Sequence, residues 1–288
     1  MLNIGIVGAE NSHTAAIAKV LNVEKRVRGV RVTHVWGETK AFAEKAAAAG
    51  EIPNIVKQPE DLIGQVDAAA VDHRHGKFHL PAAAPLLEAK LPLFIDKPFC
   101  YRKAEGAKFL ARAKKLKVPV CSFSTLPKQA SYKAFAKKMR QLGEIQTLVA
   151  TGPCDIKSKW GGVFFYGIHQ VDMILRILGY DLHDVGVHKG KGGNHVATIS
   201  WKDGGVAAAN LIQTGRPDFH LSVIGDAGRL DRTIEPDSSM YSGGIRRFVR
   251  AFRRGVSEDS PESMLGPVAV LEGLEKAMKE KRRVRVSA

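Results

Sequence analysis

The sequence is poor in cysteine and in aromatic residues, and it lacks long apolar runs. Its three cysteines, Cys100, Cys121 and Cys154, are too widely spaced for a CxxC zinc pair or a disulfide framework. No apolar run approaches the roughly 20 residues that span a bilayer, and no signal peptide is evident. These absences favour a cytoplasmic protein with no membrane partner.

Acidic residues are also scarce relative to basic ones. The chain has 44 Lys and Arg against 29 Asp and Glu, a formal net charge of +15 and a pI of about 9.8. Such a balance is found in nucleic-acid-binding proteins. The basic residues are scattered over amphipathic segments, however, and the aromatics, at 7%, do not alternate with them as stacking platforms would. We expect a solvated basic surface and no nucleic-acid partner, with attraction of an anionic cofactor or substrate as an alternative.

The order of predicted elements divides the chain into two α/β parts. Residues 1–122 alternate short apolar strands with helices, which predicts a doubly wound parallel sheet. Residues 123–288 contain successive strands joined by tight turns, such as the hairpin at Asp203-Gly204-Gly205. This part is expected to form an open, mostly antiparallel sheet with helices.

The turn after the first strand is a candidate site for a dinucleotide cofactor. Gly8 permits a tight turn, whereas the second and third glycines of the usual fingerprint are replaced by Glu10 and His13. Glu10 brings a negative charge towards the expected pyrophosphate unless its side chain points away. Asn11 or Ser12 is expected to cap the following helix. The candidate cofactor residues here are Gly8, Ala9, Glu10, Asn11, Ser12 and His13, and the alternative is a turn that binds no ligand.

Gly37 and Glu38 follow the second strand, where an acid binds the ribose hydroxyls of NAD. Lys40 lies two residues further on and would suit the 2′-phosphate of NADP, so the choice of cofactor stays open. An exposed loop is the alternative interpretation.

Three histidines follow the third strand in the segment Asp72-His73-Arg74-His75-Gly76-Lys77-Phe78-His79. Their spacing suggests a metal site, but the basic residues between them would repel a cation, so we predict no metal. Asp72, His73 and His79 are instead candidate contacts to the cofactor or substrate, and a polar loop is the alternative.

The segment Asp96-Lys97-Pro98 ends the fourth predicted strand. Proline disfavours helical geometry in the preceding residue, so Lys97 is expected to be extended at the sheet edge where ligands of such folds bind. A partly desolvated lysine has a lowered pKa and suits acid–base chemistry. The alternative is a lysine paired with Asp96 at a strand end.

His169 and Asp172 lie one helical turn apart in the second half. The carboxylate is expected to orient the imidazole, which would make His169 a candidate general acid or base and Asp172 its partner. A buried histidine with only a structural hydrogen bond is the alternative.

Taken together, these segments resemble the Gfo/Idh/MocA family of oxidoreductases over nearly the whole chain. The matching motifs are the glycine turn, Asp96-Lys97-Pro98 in the position of Glu-Lys-Pro, His79, Gly143-Glu144-Ile145, Gly167-Ile168-His169-Gln170-Val171-Asp172 and Val223-Ile224-Gly225-Asp226-Ala227-Gly228.

The resemblance implies a Rossmann domain over residues 1–122 and a substrate-binding and oligomerisation domain over residues 123–288. It implies NAD or NADP as cofactor, and hydride transfer at a carbinol carbon of a sugar-like, polyol-like or other small hydroxylated substrate. Lys97 and His169 occupy the positions of the family's catalytic lysine and histidine. A homo-oligomer, dimer or tetramer, paired through the open sheet is also implied.

Two departures motivate a second hypothesis. Phe165 stands where the family often has an aspartate four residues before the histidine, and Glu10 stands in the glycine turn. The alternative is therefore a catalytically impaired member that senses a cofactor or metabolite.

Overall fold

The structure is a computed structural model that describes residues 1–215 and 217–287. The α-helices are α1 (Ser12–Ala18), α2 (Lys40–Gly50), α3 (His79–Glu88), α4 (Lys103–Leu116), α5 (Ala130–Met139), α6 (Val163–Leu178), α7 (Ser242–Arg254) and α8 (Pro261–Glu280). The strands are β1 (Leu2–Val7), β2 (Val30–Trp36), β3 (Asn54–Ile55), β4 (Ala68–Val71), β5 (Leu93–Ile95), β6 (Val120–Cys121), β7 (Ile145–Pro153), β8 (Leu182–Lys189), β9 (His195–Trp201), β10 (Val206–Ile212), β11 (His220–Gly225), β12 (Gly228–Thr233) and β13 (Val284–Arg285). Among these residues, no helix is both long and apolar enough to cross a membrane.

The first sheet confirms the prediction of a doubly wound parallel fold. Its strand order is β3-β2-β1-β4-β5-β6 and each of its neighbouring pairs is parallel. In this order the topological switch point lies between β1 and β4. The carboxyl ends of these two strands border the crevice where such folds bind ligands. The central strands are short runs of buried aliphatic residues, as expected for strands covered on both faces.

The second sheet has the order β12-β11-β7-β10-β9-β8-β13 and is mostly antiparallel, as predicted. The exception is the parallel pairing of β7 with β10. The turn at 203–205 joins antiparallel β9 and β10, which confirms the predicted hairpin. Buried and exposed residues alternate along β9, so one face of the sheet is buried and the other is open.

The chain divides into two compact units. The first unit contains residues 1–100, 104–123 and 241–260, and the second contains 101–103, 124–240 and 261–288. The segment 241–260 belongs to the first unit because α7 contributes to its core: the Phe248 ring stacks on Phe94 at 4.7 Å. The assignment of residues 1–122 to cofactor binding and of residues 123–288 to substrate binding and oligomerisation stays a prediction.

Some elements differ from the sequence prediction in detail. The two-residue strands β3 and β13 were not predicted, because so short a pairing leaves no periodic pattern. Helix α1 continues into a π-helical turn over Lys19–Val23. Strand β6 is likewise only two residues long.

Candidate functional site

The glycine turn of the first unit requires a residue without a side chain. Gly8 has φ 110°, and a Cβ there would lie 2.5 Å from the His73 backbone nitrogen. The turn after β1 therefore contacts the segment after β4 backbone to backbone. Asn11 caps α1, since its side-chain oxygen accepts a hydrogen bond from the His13 backbone nitrogen at 3.2 Å. Ala9 is buried next to Gly8, and Ser12 begins α1.

A histidine–aspartate pair joins this turn to the end of β5. The His13 Nδ1 donates to Asp96 Oδ2 at 3.0 Å, and Asn11 Nδ2 donates to the same oxygen at 3.2 Å. Burial alone would lower the pKa of His13, but the charge of Asp96 and this hydrogen bond outweigh it and raise that pKa. Burial opposes ionisation of Asp96, yet the charge and hydrogen bond of His13 and the charge of Lys97 hold the pKa of Asp96 below its usual value. Both pKa shifts therefore favour the charged forms of His13 and Asp96.

Asp72, at the end of β4, is the second carboxyl group at this edge and is fully buried. Its Oδ2 lies 2.9 Å from Thr14 Oγ1, which lies at the same distance from the Gly8 carbonyl. A threonine hydroxyl has one hydrogen, so when it donates to Gly8 the Asp72 carboxyl must donate to it. Burial and the charge of Asp96 raise the pKa of Asp72 to about 8, which agrees with a protonated carboxyl at neutral pH.

Lys97 follows this cluster directly and is 9% exposed. Its bond to Pro98 is cis. Burial lowers the pKa of Lys97, and the charges of Asp96 and Asp72 offset that effect only in part. The structure thus places the predicted lysine among two carboxyl groups and a histidine at the ligand-binding edge of the sheet.

The three histidines after β4 do not converge on one point in the way that metal ligands do. His79 is fully buried, and its Nδ1 and Nε2 lie 2.8 Å from the Pro98 and His73 carbonyl oxygens. This geometry ties two loops together, and contact between His79 and a cofactor stays a prediction. Burial lowers the pKa of His73 and of His75 to about 4, so both rings are neutral. A group of potential ligand atoms within 4.8 Å is formed instead by His13, Asp72 and Asp96, where protons and the neighbouring Lys97 already balance the charge.

Glu38 connects the end of β2 to the glycine turn. It follows Gly37, and its Oε2 accepts a hydrogen bond from the Glu10 backbone nitrogen at 2.8 Å. Its Oε1 is buried and has no hydrogen-bond partner within the described residues. Burial raises the pKa of Glu38, and the charge of Glu10 adds to this. Glu38 therefore offers a free acceptor oxygen next to the turn.

His169 lies on α6 in the second unit and is 8% exposed. Its Nδ1 is 2.8 Å from Ser124 Oγ, and this oxygen accepts a hydrogen bond from the Leu126 backbone nitrogen at 3.3 Å. The serine oxygen has a second lone pair and one hydrogen, so the Ser124–His169 hydrogen bond is compatible with either tautomer of the ring.

The expected role of Asp172 in orienting His169 is not supported at Nδ1, whose partner is Ser124. Asp172 is 2% exposed and its Oδ1 accepts a hydrogen bond from Arg176 Nε at 2.9 Å. This is an i,i+4 ion pair within α6. A catalytic role for Asp172 stays a prediction.

The sequence analysis missed Thr14 and Ser124, the hydroxyls that contact Asp72 and His169. Both are short polar residues adjacent to segments that were recognised, but their partners are 58 and 45 residues away in the chain. The available signals were that Thr14 directly follows His13 and that Ser124 lies shortly after β6. The structure brings Asn11, His13, Asp72, Asp96 and Lys97 together in the first unit and places His169 and Asp172 in the second.

The first unit defines the class of protein. Residues 2–123 match the family described as "Oxidoreductase family, NAD-binding Rossmann fold", Gfo/Idh/MocA. Through this part of its sequence the chain matches the NAD-binding Rossmann domain of the Gfo/Idh/MocA oxidoreductases. The predicted resemblance to this family and the predicted fold are thereby confirmed.

Solved structures of inositol dehydrogenases are similar over the whole chain. The myo-inositol 2-dehydrogenase of Lactobacillus plantarum has a TM-score of 0.88 at 16% identity, covering 99% of both chains. The scyllo-inositol dehydrogenase of Lactobacillus casei with NAD(H) and scyllo-inositol has 0.85 at 15%, again covering 99% of both. The myo-inositol dehydrogenase of Lactobacillus casei with NAD(H) and myo-inositol has 0.86 at 15%, covering 100% of this chain and 97% of the other. At such identities the likeness establishes the fold. No curated protein sequence matches the chain.

Proposed function

We propose that the protein is an NAD-dependent oxidoreductase that acts on the CH–OH group of a small hydroxylated molecule. The observation that carries this proposal is the buried Lys97 at the carboxyl edge of the parallel sheet, directly after Asp96, whose carboxylate clusters there with His13 and Asp72. The family match over residues 2–123 supplies the cofactor class.

The first unit fits a dinucleotide. Gly8 forms the tight turn at the carboxyl end of β1 that precedes the pyrophosphate-binding position in such folds, and the unpartnered Oε1 of Glu38 can accept a hydrogen bond from a ribose hydroxyl. A carboxylate at this position would repel a 2′-phosphate, so we propose a preference for NAD over NADP. When bound, NAD supplies the acceptor of the hydride.

Two residues are proposed to handle the proton of the substrate hydroxyl. Lys97, with its lowered pKa, is suited to donate a hydrogen bond to the carbinol oxygen or to exchange a proton with it. His169, whose Nδ1 is hydrogen-bonded to Ser124, is the second candidate to exchange this proton. Each role is proposed from the geometry of its own unit. A Lys97→Ala/His169→Ala double variant that loses no more activity than the worse single variant would show that both act in one step.

The open face of the second sheet supports the expected homo-oligomer. Val206, Ile224 and Val196 are 50%, 47% and 39% exposed on this sheet. We propose that a second copy of the chain covers this face, because flat exposed aliphatic surface is what self-association buries.

Titration with NADH and NADPH, each followed by its own fluorescence, tests the cofactor. We expect NADH to bind at least about tenfold more tightly, which corresponds to about 1.4 kcal/mol. Lys97→Ala is expected to lower turnover by about 10² or more while NADH affinity is nearly unchanged. Lys108→Ala, an exposed lysine on α4 of the same unit, is the matched control.

The outcomes separate the two hypotheses about function. Absence of NADH binding would refute the oxidoreductase. Unchanged turnover in Lys97→Ala would refute the role of this lysine. Tight NADH binding without turnover on any alcohol would favour the sensing protein instead.

A further inference from the structure

Aromatic side chains are scarce in this sequence but cluster next to His169. Trp160, Phe164, Phe165 and Tyr166 fall within a single stretch of seven residues at the start of α6. Phe164 is 1% exposed and belongs to the core. The other three side chains lie nearer the surface.

The rings form a continuous row in the second unit. Ring centroids are 6.5 Å apart for Trp160 and Phe165, and 5.0 Å apart for Phe165 and Tyr166. The row continues from Tyr166 to His169 at 5.6 Å and from His169 to Phe219 at 5.3 Å. The last three contacts are edge-to-face, the arrangement that aromatic pairs prefer. The imidazole proposed for proton transfer therefore has aromatic rings on two sides.

The row offers surface rather than filling the core. Tyr166 is 40% exposed, and Trp160, Phe165 and Phe219 are half-buried. Partly exposed rings that touch one another in sequence form an apolar patch, and such patches mark binding sites more often than isolated exposed rings do.

The position of Phe219 in this row depends on a glycine, which leaves room for its ring. A Cβ at Gly152, on β7, would lie 2.6 Å from Phe219 Cδ1. Only glycine lets the phenyl ring lie against the strand and reach the edge of His169.

Two polar side chains near the row have partners, whereas Gln170 Oε1 and Asp172 Oδ2 are buried with no hydrogen-bond partner among the described residues. Ser124 bonds to His169, and Asp172, the only acid in α6, is paired with Arg176. A polyol has a hydroxyl on each carbon, and burying a hydroxyl without a partner costs about 1–3 kcal/mol. A planar apolar ring has no such requirement and gains from contact with aromatic faces and edges.

We propose that Trp160, Phe165, Tyr166 and Phe219 receive a planar apolar ring of the substrate, which makes the substrate a ring-bearing secondary alcohol or the corresponding ketone. This deepens the proposed function and rests on it. The carbinol carbon loses a hydride to NAD⁺ and its hydroxyl loses a proton to the protein, so the products are the ketone, NADH and one proton. The proposed substrate therefore differs from the sugar or polyol that the family resemblance implies.

Tryptophan fluorescence of the full chain tests ring binding without turnover. We expect phenylethylene glycol, mandelate or acetophenone to quench the emission of Trp160, with an affinity at least about tenfold higher than that of myo-inositol. Trp160→Phe should abolish the quench, because the remaining tryptophans, Trp36 and Trp201, have their indole N–H groups bonded to backbone carbonyls elsewhere. No quench by any of the three aromatic compounds, or tighter binding of myo-inositol, would overturn the proposal.

Kinetics with NAD⁺ separate this inference from the function it rests on. Tyr166→Ala and Phe165→Ala should each raise KM for phenylethylene glycol about tenfold with a smaller change in kcat, and Tyr166→Phe should retain the wild-type KM. Val256→Ala, an exposed aliphatic residue of the first unit, is the control.

If NADH binds and myo-inositol has the higher kcat/KM, the oxidoreductase stands and the ring-bearing substrate is refuted. If NADH does not bind, the oxidoreductase is refuted, and the fluorescence titration still decides whether the aromatic row binds a ring.

Discussion

Asp72→Asn is expected to remove a pH dependence from the stability of the first unit. Burial and the charge of Asp96 raise the pKa of Asp72 to about 8, from the value of 3.8 that is ordinary for an exposed aspartate, as in the unfolded chain. Between these two values the folded protein holds a proton that the unfolded chain releases. The contribution of Asp72 to the free energy of unfolding is therefore fully present below pH 4 and is lost as the pH rises towards 8. Asparagine has nearly the same shape as a protonated aspartate, and its amide can donate a hydrogen bond to the Thr14 hydroxyl in the same way.

The size of this effect follows from the same two values. They lie about four pH units apart, and each unit corresponds to about 1.4 kcal/mol, so the Asp72 contribution falls by on the order of 5 kcal/mol between pH 4 and pH 8. Ionisation of His13 and Asp96 will reduce this figure, because the three groups titrate together.

Urea unfolding followed by circular dichroism at closely spaced pH values measures this effect. The free energy of unfolding of the wild type minus that of Asp72→Asn should decline from pH 5 to pH 8, because the low pKa values of His73 and His75 add the same pH dependence to both proteins. Asp181→Asn serves as the control, because the Asp181 side chain is 73% exposed and should leave the wild-type slope unchanged. Parallel curves for the wild type and Asp72→Asn would show that Asp72 is ionised at neutral pH and would refute the assignment of a proton to it.

Three further variants have defined outcomes. Gly8→Ala should weaken NADH binding and lower stability by more than about 1 kcal/mol in thermal unfolding, since its Cβ would meet the His73 backbone and φ is positive; unchanged binding would contradict the role of this turn. Ser124→Ala should lower kcat about tenfold and move the kcat–pH profile, because His169 Nδ1 loses its partner, and an unshifted profile would remove Ser124 from the proton-transfer group. Val206→Lys combined with Ile224→Lys should dissociate the oligomer in sedimentation experiments while leaving circular dichroism unchanged; an unaltered sedimentation coefficient would assign the open sheet face no part in assembly.

The sequence predicted the fold because its strongest patterns are local. Short aliphatic runs ending in glycine or polar residues located β1 and β4, and the apolar stripe of α6 located the longest helix of the central region. The pairing of β7 with β10 was beyond such reasoning, since parallel pairing between distant strands leaves no mark on either strand.

The candidate site was predictable only in part for a related reason. Lys97 and His169 were found because each lies in a short motif. The partner of His169 was assigned to Asp172 from helical spacing, whereas a longer-range contact from Ser124 occupies that position. The proton on Asp72 depends on burial and on a neighbouring charge, neither of which a linear sequence displays.

The return of residues 241–260 to the first unit has a consequence for biosynthesis. The core that Phe94 and Phe248 share cannot be complete until some 150 residues after Phe94 have been synthesised. A ribosome will therefore have made most of the second unit before the first can close its core. A fragment ending near residue 123 would expose the surface that α7 covers, and the two units cannot be exchanged between relatives by a single crossover.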